Sequence, residues 1–173
     1  MKRTLALLLA AGITLAAAAE SKEYEVKAAF IYNFAKFTEW PAMAGDDDNN
    51  ELDLCLAGNG SFGKVLFTLQ GREVQGTRLN IRKIEDVTEL DDCRILYVSR
   101  SEADRVDSLM DAIADKQGVL SVSDIDGFTH HGGIIELKII NNKMRFAINL
   151  RAARQANITL SSKLLRLATA VEE

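Results

Sequence analysis

One proline, two cysteines, two histidines and one tryptophan in 173 residues leave several classes of protein without their raw material. Pro41 stands alone, and no repeat or low-complexity linker accompanies it, so nothing divides the chain into domains. His130 and His131 are adjacent, so their side chains diverge. With Asp124 and Asp126 nearby they still lack the i, i+4 or Cys-x-x-Cys spacing of a metal site, and no metal or other cofactor is expected. A basic excess is missing too: 21 Lys and Arg face 25 Asp and Glu, which argues against nucleic acid as a partner. Finally, the one long apolar stretch, at the start, holds about 15 mostly small residues, short of the roughly 20 that span a bilayer.

That opening stretch reads instead as a secretory signal peptide over 1–19. Lys2 and Arg3 precede the apolar run Leu5 to Ala11, and Ala17-Ala18-Ala19 offers a small-residue site with cleavage after Ala19. The exported part, 20–173, then has the length of one domain. With Lys2 and Arg3 taken from the 21 basic residues, 19 face 25 acidic ones, a formal charge of −6. Cys55 lies inside one predicted strand and Cys93 opens another. An even count in an exported chain favours a disulfide over two buried thiols, provided those strands are neighbours.

Tyr24 to Pro41 holds six of the eleven aromatic residues: Tyr24, Phe30, Tyr32, Phe34, Phe37 and Trp40. At a period of 3.6, Val26, Ala29, Phe30, Phe34, Phe37 and Trp40 share one stripe, which predicts a core helix capped by Ser21 and closed at Trp40 by Pro41. The polar run Gly45 to Asn50 predicts a solvated loop. Strands are expected at Leu52 to Ala57, Thr77 to Ile84, Arg94 to Ser99 and Val119 to Ser123. A helix that starts near Ser101, carries Val106, Leu109, Met110 and Ile113, and stops at Gly118 separates the last two. Strands spaced by helices imply a parallel sheet. Ile134 to Ile140 and Met144 to Leu150, joined by Asn141-Asn142-Lys143, add a hairpin, so the sheet is mixed. A short helix near Arg151 to Ala156 and a final one from Ser162 to Val171 close the chain.

Gly58-Asn59-Gly60-Ser61-Phe62-Gly63 matches the glycine pattern that lets a pyrophosphate approach a helix N-terminus. The helix after it is barely two turns, and the next strand ends on Arg82-Lys83 rather than an acidic ribose ligand, so dinucleotide binding is not expected. Ser161-Ser162-Lys163 reads as a helix cap, not a nucleophile with its base. Arg151 and Arg154 with Lys163 and Arg166 read as a solvated helix face rather than an anion site. On the final helix Leu164, Leu167, Ala168 and Val171 can face the core. That leaves Leu165 beside Lys163 and Arg166 as an apolar centre with a basic rim, either a partner-binding surface or packing on a neighbour.

Three blocks carry a resemblance to a known family. They are Lys27-Ala28-Ala29-Phe30-Ile31-Tyr32-Asn33-Phe34-Ala35-Lys36-Phe37-Thr38-Glu39-Trp40-Pro41; Val119 to Asp124 with Gly127-Phe128 and Gly132-Gly133; and Phe146 to Leu150 with Leu160 to Leu165. In order and spacing the chain resembles the YfiR-like periplasmic proteins over nearly all of 20–173. The resemblance implies a homodimeric periplasmic regulator without catalysis that represses an inner-membrane diguanylate cyclase, YfiN-like, by binding its periplasmic part. It also implies sequestration by an outer-membrane lipoprotein, YfiB-like, and an output in cyclic-di-GMP, hence biofilm and motility. A second disulfide known in the family has no counterpart here, because Phe128 to Ile135 contains no cysteine.

The fold expected is α/β: a single three-layer domain with a central mixed sheet, mostly parallel and Rossmann-like, flanked by helices, with a C-terminal hairpin in the sheet. The function expected is repression of a membrane signalling enzyme. The alternatives are a periplasmic small-molecule sensing module serving a membrane receptor or sensor kinase, and an enzyme using the Gly58 loop or the histidines.

Overall fold

The computed structural model describes residues 21–41 and 50–173; the expected signal peptide, 1–19, and most of the loop expected at Gly45 to Asn50 lie outside the described residues. Helix α1 covers 21–36 and is followed at once by strand β1 (Thr38–Glu39). The central strands are β2 (Glu51–Ala57), β3 (Glu73–Val74), β4 (Thr77–Ile84), β5 (Ile95–Val98), β6 (Leu120–Ser123), β7 (Ile135–Ile140) and β8 (Lys143–Asn149). Between and after them come α2 (Ser61–Leu66), α3 (Val106–Ile113), α4 (Leu150–Gln155), β9 (Thr159–Leu160), α5 (Ser162–Leu167) and β10 (Ala170–Glu172). The sheet runs β10-β8-β7-β6-β5-β2-β4-β3, and β1 and β9 pair separately as a small antiparallel sheet.

Five adjacent strands, β7-β6-β5-β2-β4, are parallel, while β8 and β3 run antiparallel to β7 and β4. Their near-continuous apolar sequences follow from burial on both faces: Ile95, Leu96, Tyr97 and Val98 of β5 are all buried. Alternation along β2 sends Leu52, Leu54 and Leu56 into the core under α1 and α2. Cys55 and Ala57 go into a second core under α3, so the sheet is the middle of three layers. The hairpin forms as expected, its turn made by Asn141 and Asn142 at φ 50° and 58°, the positive pair that a two-residue turn demands.

Cys55 and Cys93 are disulfide-bonded, with Cα atoms 5.8 Å apart. The bridge is possible because β2 and β5 are neighbours, as the pairing Leu54↔Ile95 shows. Both half-cystines are buried, so the crosslink staples the second core. Closing a loop of this size adds about 3 to 4 kcal/mol in the chain-entropy account.

Several helix boundaries differ from expectation. Ser21 is already helical, and α1 stops at 36 rather than Trp40. Its end is set by side chains, not by Pro41: Thr38 Oγ1 donates to Phe34 O at 2.7 Å. Gln75 Nε2 donates to the carbonyls of Ala35, Lys36 and Thr38 at 3.2, 3.1 and 2.8 Å. Those bonds satisfy terminal carbonyls that the helix itself cannot. The buried stripe is also turned. Lys27, Ala28, Ile31, Phe34, Ala35 and Thr38 face inward, whereas Val26 is 44% exposed and Ala29 is exposed. Before α3, residues Arg100–Arg105 form a 3-10 turn capped by Ser99, not by Ser101, so α3 begins only at Val106.

Aromatic packing centres on Phe34, which meets Phe30 and Phe146 edge-on with ring centroids 5.9 and 5.0 Å away. Phe34→Ala should therefore cost about 3 to 5 kcal/mol, read from the urea midpoint; a loss below about 1 kcal/mol would contradict this placement of α1.

Candidate functional site

The C-terminal helix was expected to present Leu165, and its short sequence explains why it presents Leu167 instead. Ser161 caps α5, its Oγ accepting from Leu164 N, and only six residues follow in helical form. Thr169 then donates from both N and Oγ1 to Phe146 O at 2.9 Å, which pulls the chain out of the helix and into β10 beside β8. Val171 thus sits on a strand, not on the helix. Leu164 is buried and Leu165 packs half-buried against the core, while Leu167 is 67% exposed. Lys163 and Arg166 are exposed, and the exposed leucine beside them is Leu167 rather than Leu165.

A buried polar network that the sequence did not announce joins α1 to the loop after β6. Lys27, only 3% exposed, donates from Nζ to Asp124 Oδ2 at 2.6 Å. Tyr97 OH donates to Asp124 Oδ1 at 2.9 Å, and Arg100 Nε donates to Asp124 O at 3.0 Å. The Lys27 ammonium also lies 5.4 and 5.3 Å from the ring centroids of Tyr24 and Phe62, so aromatic faces complete its surroundings. Burial first, then the Asp124 charge, pushes the Tyr97 phenol far above its ordinary value; it stays a neutral donor.

From Asp124 the polar path continues to the sheet edge. Glu136, fully buried on β7, accepts from Gly127 N at 3.1 Å and from Thr129 N and Oγ1 at 3.3 Å, and pairs with Lys138 at 2.9 Å. Burial alone would raise its pKa, but Lys138 and the two backbone donors outweigh that and hold it below the usual 4.5. Thr129 further meets Glu172 of β10 at 3.2 Å and receives Asn149 Nδ2 on its carbonyl at 2.9 Å. Gly133 makes this loop possible, because a Cβ there would lie 2.1 Å from the Phe128 ring.

Elsewhere the residues that the sequence raised have partners of their own. The Gly58 loop packs on the next turn: Asn59 N donates to Ser101 Oγ at 3.0 Å, and a Cβ on Gly58 would lie 2.5 Å from that oxygen. The small cavity beside it, about 220 Å³, is lined by Glu85, Asp86 and Glu102 against Lys83 and Arg105, a balance that disfavours a pyrophosphate. His131 Nδ1 sits 2.6 Å from Asp107 Oδ1, and among the described residues no group of His, Cys, Asp and Glu side chains gathers to hold a metal ion.

The class these features define is a three-layer α/β domain with a mostly parallel sheet and a C-terminal hairpin. More particularly, the chain belongs to the YfiR/HmsC-like family, whose model matches residues 24–169 and so includes Lys27, Tyr97, Asp124 and Glu136. A conserved domain protein from Vibrio cholerae O1 biovar eltor str. N16961 shares the fold at TM-score 0.51 and 12% identity, over 69% of this chain and 54% of that one. An ABC domain in complex with L-Trp from Streptococcus pneumonia is similar at TM-score 0.49 and 10% identity, over 69% of this chain and 55% of that one. The match thus spans about half the length of each. No curated protein matches the sequence. No helix among the described residues is long and apolar enough to cross a membrane.

Removing one partner of the buried pair leaves the other charge only its longer contact, Arg100 at 3.5 Å from Asp124 or Glu23 at 3.6 Å from Lys27, so Lys27→Met or Asp124→Ala alone should cost about 3 kcal/mol in urea unfolding. The double variant should lose clearly less than the sum, and additive losses would show that the two groups do not act as a pair. The depressed Glu136 carboxyl contributes stability that is complete above its ordinary 4.5 and is lost as pH falls through its lower folded value. Glu136→Gln should accordingly flatten the acid limb of the stability profile, and an unchanged limb would contradict the assignment.

Proposed function

We propose that this protein is a non-enzymatic periplasmic regulator that represses an inner-membrane diguanylate cyclase, YfiN-like, by binding its periplasmic part and lowering cyclic-di-GMP output. Family membership over 24–169 supports the reading. The observation in the structure that carries it is α5, which displays Leu167 beside exposed Lys163 and Arg166 on an otherwise acidic chain. An apolar centre with a charged rim is the anatomy of a protein interface. A YfiB-like outer-membrane lipoprotein and a second copy of the chain are the other partners in this reading.

A second reading, a small-molecule sensing module, is favoured by one feature. A groove of about 590 Å³ between α3 and α4 has Met110, Ile113, Ile134 and Ala152 on its walls, Ser121 at its floor, and Asp111 and Asp115 on its rim. That volume is in the range of ligand sites. A ligand that binds there in the folded state alone raises the melting temperature by an amount that grows with the logarithm of its concentration above Kd.

Arg166→Glu with Leu167→Asp tests the first reading, since both side chains are exposed and the fold should survive. Loss of one central contact of about 2 kcal/mol weakens binding about 30-fold. Cells with this variant should show raised cyclic-di-GMP at unchanged protein level; full repression would move the interface off α5.

A further inference from the structure

Between 137 and 171 the chain carries seven Lys or Arg residues and no Asp or Glu, in a protein of net charge −4. The topology gathers part of that charge at one end of the molecule. β7 pairs with β6 only through Val122↔Ile135 and Ser123↔Glu136, so the hairpin runs on past the end of β6 as a projecting tip. On that tip Lys138↔Arg145 and Ile140↔Lys143 share one face, and Ile139↔Met144 the other. Because β10 starts beside Ala147 and runs parallel to β8, the chain just before it, with Arg166 and Leu167, reaches the same end.

Two properties of this end are independent of each other. Its aliphatic side chains are in solvent: Ile139, Ile140 and Leu167 are among the large exposed hydrophobic residues of the described chain. Its charge is uncompensated: Lys138 pairs with Glu136, but among the described residues no carboxylate pairs with Lys143, Arg145 or Arg166. Protein interfaces concentrate aromatic residues and shed lysine at their centres. This tip does the reverse, combining lysine and arginine with isoleucine and leucine and exposing no aromatic ring.

We propose that the projecting β7–β8 tip, beside but separate from the α5 surface, is a peripheral docking surface for an anionic phospholipid bilayer. Basic side chains near such a surface each strengthen partitioning by about fivefold. Short aliphatic side chains that reach the acyl boundary add a contribution that salt does not screen. The surface would hold the protein against a membrane without a spanning helix, and α5 would face any membrane protein standing in the same plane.

Co-sedimentation of the purified protein with vesicles tests this without any cyclase, so its outcome is separate from that of the regulatory reading. The protein should sediment with phosphatidylcholine vesicles that contain about one third phosphatidylglycerol and stay in solution with phosphatidylcholine alone. Lys143→Glu with Arg145→Glu should reduce binding by about 25-fold or more. Ile139→Ser with Ile140→Ser, at unchanged charge, should weaken it and leave a residue of binding that about 0.5 M salt abolishes. Equal sedimentation with both vesicle types, a charge-reversed variant that binds like the parent, or no sedimentation with either vesicle would overturn the proposal. So would capture of an acidic protein by the tip when vesicles are ignored.

Discussion

The Lys27–Asp124 ion pair is the constraint on which the rest of the structure turns. Taking an ammonium and a carboxylate out of water costs several kcal/mol each, and their attraction offsets this only when geometry and further hydrogen bonds are good. Here Tyr97 and Arg100 complete the Asp124 shell, and the rings of Tyr24 and Phe62 face the ammonium. The contribution is orientation more than net stability. An apolar stripe on α1 could slide or roll over Leu54, Ile95 and Val122, whereas a salt bridge of 2.6 Å admits one rotation of the helix. That rotation puts Ile31 and Phe34 inward and leaves Val26 outside.

Fixing Asp124 also fixes the loop that follows it. Gly127 and Thr129 grip the Glu136 carboxylate, Thr129 reaches Glu172, and Asn149 bonds back to Thr129, so one polar path leads from α1 to the hairpin and the edge strand β10. The disulfide and α3 hold the opposite face of the sheet. At the C-terminal end Leu164 is buried in the core, Thr169 bonds to Phe146 and β10 pairs with β8, while Glu172 joins the polar path through Thr129.

What the sequence made legible was local. Thr77 to Ile84 alternates, and the strand has those bounds; Asn141-Asn142 between two apolar runs marks the hairpin; an even cysteine count marks the disulfide, although Cys93 lies just before β5 rather than on it. What it hid depends on partners far along the chain. Lys27 reads as part of a polar strip until Asp124, 97 residues away, comes to meet it. Likewise Pro41 looks like the terminator of α1 until Gln75 caps the helix from a turn some 40 residues on. β10 is three residues long, too short for any period, and the Thr169 bonds to Phe146 that create it are tertiary. The same shortness turned the C-terminal helix, so that the exposed leucine is Leu167 rather than Leu165. Lys27, Asp124 and Gly133 all fall in the blocks that carry the family resemblance, and packing now gives each a physical reason.

The account rests on α5 and its edge being a recognition surface presented by a rigid body. Hydrogen exchange of the protein alone and mixed with the purified periplasmic part of the cyclase measures that most directly. The account predicts new protection in 161–172, with the α3 face and the Gly58 loop unchanged. Protection confined to the α3–α4 groove, or none at all at concentrations where the two proteins bind, would contradict it.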